Sequence, residues 1–199
     1  KSNVSIKGNG NATILKRMWD STNVEGVIAL VSVMGCKIEK LQIDGNRATY
    51  QDVLNYGIYI SSSNNNTITG NISNNNSGYG IRTYSSNNNI ITSNTCNNNL
   101  MGIDYGGDDN IITGNIFNNN RNCGIYSYPS NNNTITSNTC NNNSHYGIHI
   151  LSSNNNTITG NISNNNLIGI YLSGNNNNNN ITGNICNNNS GYGICLSNN

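Results

Sequence analysis

Side chains that could bind a ligand or catalyse a reaction recur directly after Gly-Ile pairs, one in each repeat of the chain. Tyrosine faces in this series could stack on sugar rings, beside one arginine and one aspartate. We therefore consider a candidate glycan strip formed by Tyr59, Arg82, Asp104, Tyr126, His149 and Tyr171. The structural alternative, which we favour from sequence alone, is a cross-strand ladder that pairs Tyr with Tyr and Arg82 with Asp104.

Carboxylates that could cleave a glycosidic bond are scarce in this sequence. Glycoside hydrolysis usually needs two carboxyl groups facing one bond, and the acidic residues after Asp52 are Asp104, Asp108 and Asp109. Asp108 and Asp109 stand where other repeats carry Asn, so we predict that they are corner residues. His145 and His149 lie four apart in a predicted turn and strand, which does not favour a metal site. We expect no catalytic residues, no metal and no cofactor, and therefore not an enzyme.

The Gly-Ile pairs recur at steps of 22 to 24 residues, a period typical of solenoids. A second isoleucine series keeps the same spacing, at Ile68, Ile91, Ile112, Ile135, Ile158 and Ile181. Alternating residues after each Gly-Ile pair predict short strands, and Asn triplets between them suit tight corners. We therefore predict an all-β fold, a parallel β-helix (β-solenoid) with 22–24 residues per coil and about eight coils.

Domain organisation follows from where this pattern is regular. We predict a single β-solenoid domain over residues 1–199, with irregular first coils in 1–56 and regular Asn-rich coils in 57–199. The first 56 residues hold 12 of the 17 charged residues and few of the 52 Asn. We expect longer loops there, with a short helix as one option.

One Asn per coil follows the isoleucine series by three residues and is predicted to point inward. An early coil carries Leu41 at this position, and a position that accepts Leu faces the core. We predict an internal ladder of amide hydrogen bonds formed by Asn71, Asn94, Asn115, Asn138, Asn161 and Asn184.

The six cysteines divide into two groups. Cys96, Cys140 and Cys186 share an inward column but lie two coils apart, about 9.6 Å, which is too far for a disulfide. Outside that column lie Cys36, Cys123 and Cys195. Because none of these three has a nearby partner in the pattern, each is a candidate for a disulfide with a second molecule.

The repeat Asn66-Thr67-Ile68-Thr69-Gly70-Asn71, which returns from Asn133 to Asn138, resembles that of the pectate-lyase-like superfamily. It is most similar to the Asn-rich branch of NosD-like periplasmic copper-processing proteins and sheath or S-layer type surface proteins of methanogenic archaea. The resemblance implies a right-handed parallel β-helix over nearly the whole chain. It does not select a function, because the superfamily includes lyases, hydrolases, binders and passive stalks.

Composition narrows the class of partner. Only 9% of residues are charged and the formal net charge is +1, so we expect no nucleic-acid binding. The sequence has no apolar run long enough for a membrane span. Repeated Asn-x-Ser/Thr acceptors fit an exported protein, so we expect an extracellular or cell-surface location.

Two features favour self-association. The chain stops partway through a coil, and its first residues read like the missing part, so a head-to-tail contact would continue the β-helix. The alternative is that both ends reflect only where the sequence was cut. A flat uncharged face with one outward Thr per coil offers a second docking surface.

We therefore expect a structural, self-associating cell-surface protein, such as a sheath, surface-layer or fibre subunit, whose partners are other copies of itself. The alternative is an extracellular carbohydrate-binding or carbohydrate-cleaving domain that uses the candidate strip and has cell-surface glycans as partners.

Overall fold

The computed structural model describes residues 1–19, 25–50 and 54–197, in which short parallel strands stack coil upon coil. Each coil turns at asparagine-rich corners, so strands one repeat apart become hydrogen-bonded neighbours. This arrangement gives two long sheets and one short sheet, and it confirms the predicted parallel β-solenoid fold.

The first sheet contains eight strands in chain order. They are β1 (Ser5–Lys7), β4 (Lys37–Glu39), β7 (Thr67–Thr69), β10 (Ile90–Thr92), β12 (Ile111–Thr113), β14 (Thr134–Thr136), β16 (Thr157–Thr159) and β18 (Asn180–Thr182). Its strands from β7 onward belong to six regular coils.

The second sheet also contains eight strands and carries the Gly-Ile pairs. They are β3 (Glu25–Val31), β6 (Asn55–Ser61), β9 (Tyr79–Tyr84), β11 (Met101–Tyr105), β13 (Cys123–Ser127), β15 (Tyr146–Leu151), β17 (Ile168–Ser173) and β19 (Tyr192–Ser197).

The third sheet is formed by β2 (Ile14–Lys16), β5 (Gln42–Asp44) and β8 (Ile72–Asn74). Single parallel bridges continue it along the solenoid, from Ile72 through Thr95 and Ile116 to Ile185. The first coil also contains a 3-10 helix, Gly10–Ala12. Within the loop predicted to be long before Gly57, residues 51–53 lie outside the described residues.

The register keeps like residues above one another, which is what buries the core. In the first sheet, Ile68 pairs with Ile38 and Ile91, and the series continues without a slip to Ile181. In the second sheet the Ile of each Gly-Ile pair is stacked in the same way. Two columns of isoleucine therefore form much of the core, and each buried side chain contributes roughly 1.5–3 kcal/mol.

The glycine of the Gly-Ile pair is fixed by lack of space in that core. A Cβ at Gly102 would lie 2.7 Å from the Cβ of Phe117 and 2.6 Å from the carbonyl oxygen of Gly124. Gly and Ile therefore both face inward, and the residue before each Gly lies on the outer face.

The predicted inward asparagines form a continuous hydrogen-bonded column. Nδ2 of Asn71, Asn94, Asn115, Asn138 and Asn161 donates to Oδ1 of the next member, at 3.0 to 3.1 Å, and the series ends at Asn184. Each Oδ1 also accepts the backbone N–H of the preceding member. The second N–H of each Nδ2 meets an isoleucine carbonyl, as from Asn138 to Ile112 at 2.9 Å. These inward amides are thus fully satisfied.

The corner triplets contain two further inward columns, which the reading of triplets as corners alone missed. The third Asn of each triplet is buried in all but the last coil, and its Oδ1 accepts the backbone N–H of its counterpart one coil earlier. One column is Asn66, Asn89, Asn110, Asn133, Asn156 and Asn179, and the other is Asn76, Asn99, Asn120, Asn143, Asn166 and Asn189.

The middle residue of each triplet makes the turn itself. Asn65, Asn119 and Asn155 have φ between 57° and 58°, the left-handed conformation that Asn tolerates better than most residues. Asp109 adopts the same φ of 58°, and Asp108 accepts the N–H of Asn131 at 2.7 Å. The prediction that both aspartates are corner residues is confirmed.

In the described part of the chain, no helix is long and apolar enough to cross a membrane.

Candidate functional site

The candidate strip lies on the outer face of the second sheet as one straight row. Parallel pairing places Tyr59, Arg82, Asp104, Tyr126, His149, Tyr171 and Cys195 side by side in successive coils. Five of the six candidate residues are half-buried, but Asp104 is only 1% exposed. The row is therefore continuous, while its single carboxylate is closed to solvent.

A second outer row contains the residue that precedes each Gly, and sequence reasoning did not identify it. Tyr56 stacks on Tyr79 with ring centroids 5.0 Å apart, and Tyr146 lies 5.2 Å from Tyr171 in the strip. The signal was present in the sequence, because Tyr precedes Gly-Ile at positions 56, 79, 146 and 192. Two aromatic rows thus cover one face.

The strip contains one ion pair, between neighbouring coils. Nε of Arg82 lies 3.4 Å from Oδ2 of Asp104, and the Arg82 guanidinium also lies over the rings of Tyr56 and Tyr79. Burial raises the pKa of Asp104 to about 7, although the charge of Arg82 acts in the opposite direction. Neither carboxylate oxygen has a hydrogen-bond partner among the described residues. Asp104 is consequently held near the balance between its neutral and charged forms at neutral pH.

His149 is packed among aromatic rings. Its ring stacks on Tyr171 at 4.8 Å, meets Tyr126 edge-on at 5.1 Å, and its Nε2 lies 2.7 Å from Oγ of Ser173. Burial lowers the pKa of His149 to about 4, so it is neutral at physiological pH. His149 therefore contributes packing and one hydrogen bond to the strip.

A groove opens beside the strip, in a neighbouring column where a glycine lies between two tyrosines. Tyr84 and Tyr128 are 52% and 42% exposed, and between them, one coil from each, lies Gly106. The groove has a volume of about 320 Å³ and is also lined by Ser85, Gly107, Asp108 and Pro129. We call this the Tyr84–Tyr128 groove.

The walls of the Tyr84–Tyr128 groove are supported by the strip. Tyr128 packs edge-on against Tyr126 with centroids 5.5 Å apart, and the Arg82 guanidinium lies 6.0 Å from the Tyr84 ring. Two coils separate the tyrosines, about 9.6 Å at the usual strand spacing. Two exposed tyrosine side chains thus flank a floor that carries no side chain.

The cysteines correct one prediction. In the described part of the chain, which includes all six cysteines, every one is a free thiol. Cys36 and Cys123 are buried, and burial raises the pKa of Cys123 to about 12, so neither is available to a second molecule as predicted. Cys195 is partly exposed in the last coil and remains a candidate for an intermolecular disulfide.

Fold and site together define a parallel β-solenoid with an aromatic outer face, and solved structures of this class resemble it. The A-module of the Azotobacter vinelandii mannuronan C-5 epimerase AlgE6 is 19% identical, with a TM-score of 0.70 over 92% of this chain and 60% of that one. A variant of the periplasmic alginate epimerase AlgG is 22% identical, with a TM-score of 0.61 over 74% of this chain and 45% of that one. The Streptococcus pneumoniae surface protein and adhesin PfbA is 14% identical, with a TM-score of 0.67 over 98% of this chain and 67% of that one.

These likenesses show the shared fold, and the chain spans about half the length of the two epimerase structures. The family model for the right-handed β-helix region matches residues 101–199. The model described as periplasmic copper-binding protein (NosD) matches residues 1–127, and the chain belongs to that family. A comparison with curated proteins finds no match.

The family description names copper, but the described residues do not provide a matching set of ligands. Among them, no three His, Cys, Asp or Glu side chains come together in a group that could hold a metal ion. Cys96, Cys123 and Cys140 are buried thiols with raised pKa values, whereas metal binding requires the thiolate. We therefore assign no copper centre to these residues.

Proposed function

We propose that this chain is a surface or periplasmic protein of the NosD family that binds a glycan in the Tyr84–Tyr128 groove. One observation carries the proposal: two exposed tyrosines, on either side of Gly106, line the same open groove. Tyrosine offers an apolar face to a sugar ring and a hydroxyl to its polar edge. The slot volume of about 320 Å³ is at the lower end of the range of small-molecule sites.

The lining of the groove favours neutral sugars. Asp108 is the charged side chain among the described lining residues, and its carboxylate would repel an anionic sugar. Ser85 offers a hydroxyl for hydrogen bonding. The bound unit is therefore expected to be an uncharged sugar residue within a surface polysaccharide or glycoprotein glycan.

A glycan array tests this function. The wild-type chain should bind one or more neutral glycans, and Tyr84→Ala and Tyr128→Ala should each lower the signal at least tenfold. Tyr192→Ala is the matched control, because Tyr192 is also exposed but lies in the last coil, away from the groove. Failure of the wild type to bind any neutral glycan, or equal binding by all three variants, would exclude the groove.

Self-association through the sheet faces is a second candidate function, favoured by exposed isoleucines on strands of the first sheet, which carry no charged residue from β7 onward. Ile90 and Ile111 of the first sheet are 41% and 40% exposed, and Ile116 and Ile162 form a similar row in the third-sheet column. Neighbouring coils carry Thr at the same positions. Copies of the chain would bury these rows against one another as subunits of a surface layer or fibre.

Sedimentation velocity with electron microscopy tests this second candidate. Wild type should form oligomers at high concentration, and Ile90→Thr with Ile111→Thr, or Ile116→Thr with Ile162→Thr, should weaken them. Each substitution installs the residue that adjacent coils already carry, so folding should be preserved. A wild-type chain that stays monomeric at high concentration would contradict self-association and leave glycan binding unaffected.

A further inference from the structure

A second cavity lies at the corner between the third and second sheets, away from the Tyr84–Tyr128 groove. It has a volume of about 780 Å³ and is lined by Lys16, Asp44, Asn46, Arg47, Ala48, Asn75 and Arg121. Its residues come from coils far apart in sequence, including the loop that follows β5. We call this the corner pocket.

The corner pocket concentrates positive charge in a chain that has little. Three of the nine Lys and Arg residues line it, against one described carboxylate, that of Asp44. Asp44 faces Lys16, with Oδ2 and Nζ 3.9 Å apart, so those two charges compensate each other. Among the described residues, neither Arg47 nor Arg121 has a carboxylate within ion-pair distance. Two positive charges therefore have no carboxylate partner within residues 1–19, 25–50 and 54–197.

Both guanidinium groups are anchored in place. Nη1 of Arg47 donates to the carbonyl oxygen of Asn98 at 2.7 Å, and Nη2 of Arg121 donates to that of Ser77 at 2.7 Å. Each Arg carries five N–H donors, so most of them remain for a ligand. Burial, followed by the nearby charge of Arg121, lowers the pKa of Arg47. The fold thus holds two like charges close together at an electrostatic cost.

The loop that carries Arg47 is fixed by backbone hydrogen bonds to the next coil. The N–H groups of Gly45 and Arg47 donate to the carbonyl oxygens of Asn74 and Asn75, at 2.9 and 3.0 Å. Nδ2 of Asn46 donates to the carbonyl oxygen of Arg17 at 3.1 Å. Arg47 therefore reaches the pocket from a rigid support, which is what preorganised binding requires.

We propose that the corner pocket binds an anionic ligand through Arg47 and Arg121. A planar guanidinium matches the geometry of phosphate, sulfate and carboxylate oxygens and can bind them in a bidentate manner. The pocket volume of about 780 Å³ suits a small molecule or a short chain segment. Two guanidinium charges match a ligand with at least two negative charges. This site is independent of the proposed glycan groove.

Isothermal titration calorimetry with inorganic pyrophosphate, citrate and neutral maltose tests the proposal on the full chain. Pyrophosphate or citrate should bind. Tighter binding of pyrophosphate would indicate that the pocket recognises phosphate, and tighter binding of citrate would indicate that it recognises carboxylate. Binding should weaken as salt increases. Arg47→Gln and Arg121→Gln should each weaken binding at least tenfold, and maltose should not bind to this pocket. Lys40→Gln is the matched control, because it removes one exposed positive charge outside the pocket.

Two readouts keep the result unambiguous. Thermal melts should show that the glutamine variants remain folded, and amide chemical shifts should change at Asn46, Arg47, Asn75 and Arg121 on titration. The proposal is overturned if neither anion binds at millimolar concentration, or if Lys40→Gln weakens binding as much as the arginine variants. Tyr84→Ala should leave this binding unchanged, which separates the pocket from the groove.

Discussion

Nε of Arg82 lies 3.4 Å from Oδ2 of Asp104, in adjacent coils of one outer sheet face. The Arg82 guanidinium lies over Tyr56 and Tyr79 of the second outer row, and the carboxylate of Asp104 is almost fully closed to solvent. The sequence predicted the pairing but not its burial. The burial matters because it makes the stability of this face dependent on pH.

Asp104→Asn should remove one contribution to the pH dependence of stability. The pKa of Asp104 is raised from 3.8 to about 7 in the folded chain, so the folded state holds the proton more tightly than the unfolded state. Stabilisation from this group is therefore present below about pH 4 and is lost as pH rises to 7.

Urea unfolding at pH 4.5 and pH 7.5 measures this effect. Between these values, wild type should lose free energy of unfolding relative to Asp104→Asn. The lowered pKa of His149 acts in the opposite direction, but it is present in both proteins and cancels in their difference. A difference between the two proteins that does not change with pH would contradict the account.

Asn115→Leu should destabilise the solenoid strongly, although Leu41 shows that the column accepts a leucine at its start. Loss of the amide leaves the Nδ2 and backbone N–H of Asn94 without their acceptor, and the carbonyl oxygen of Ile91 without a donor. Each unsatisfied buried group costs about 1–3 kcal/mol, so we expect a loss of about 3 kcal/mol or more. Chemical denaturation measures it.

Asn119→Gly is the matched control for the amide column. Asn119 is an exposed corner residue with a φ of 57°, and glycine adopts that conformation without strain. Its unfolding free energy should remain within about 1 kcal/mol of wild type. Equal losses in the two variants would mean that the inward column is no more important than the corners.

Thiol accessibility should follow burial in the folded chain. Ellman's reagent should react first with Cys195 and Cys186, whereas Cys96, Cys123 and Cys140 should react only after unfolding. Non-reducing gels should show any covalent dimer disappear in Cys195→Ser and persist in Cys123→Ser. A dimer that depends on Cys123 would show that β13 opens in solution.

Repetition explains how much of this structure the sequence could reveal. The register of Ile68, Ile91 and Asn115 was predictable because every coil repeats the same spacing, and a one-residue slip would turn each strand inside out. Cys36 was misjudged because it lies in the irregular first coils, where no repeat fixes its direction. Cys123 was misjudged because it precedes Gly124 on the outer face yet is only 1% exposed beside neighbours such as Tyr146, and spacing does not reveal such covering.

The groove depends on how far neighbouring side chains extend from the sheet, which the spacing of the repeats does not reveal. Tyr84, Gly106 and Tyr128 repeat at the coil spacing, yet the open slot exists only because glycine stands between two exposed tyrosines. The corner pocket was also missed. Arg47 and Arg121 lie 74 positions apart, and only the stacking of coils brings them to one cavity.

Gly106→Leu should fill the groove without disturbing the fold. A Cβ at Gly106 would lie 3.5 Å from Cβ of Tyr128 and 3.7 Å from the carbonyl oxygen of Thr83, which are ordinary contacts. Leu151 already occupies the equivalent position two coils further on. The variant should melt like wild type and lose glycan binding at least tenfold, whereas Ser61→Leu, in the same column but outside the groove, should bind normally.

Amide chemical-shift mapping tests the central claim most directly. An isotope-labelled chain should be titrated with the neutral oligosaccharide that binds best on the array. We predict that the largest shift changes fall on Ser85, Gly106, Gly107 and Asp108, with smaller changes along the strip at Tyr126. Changes confined to other coils, or none at saturating oligosaccharide, would contradict the assignment of the Tyr84–Tyr128 groove as the glycan site.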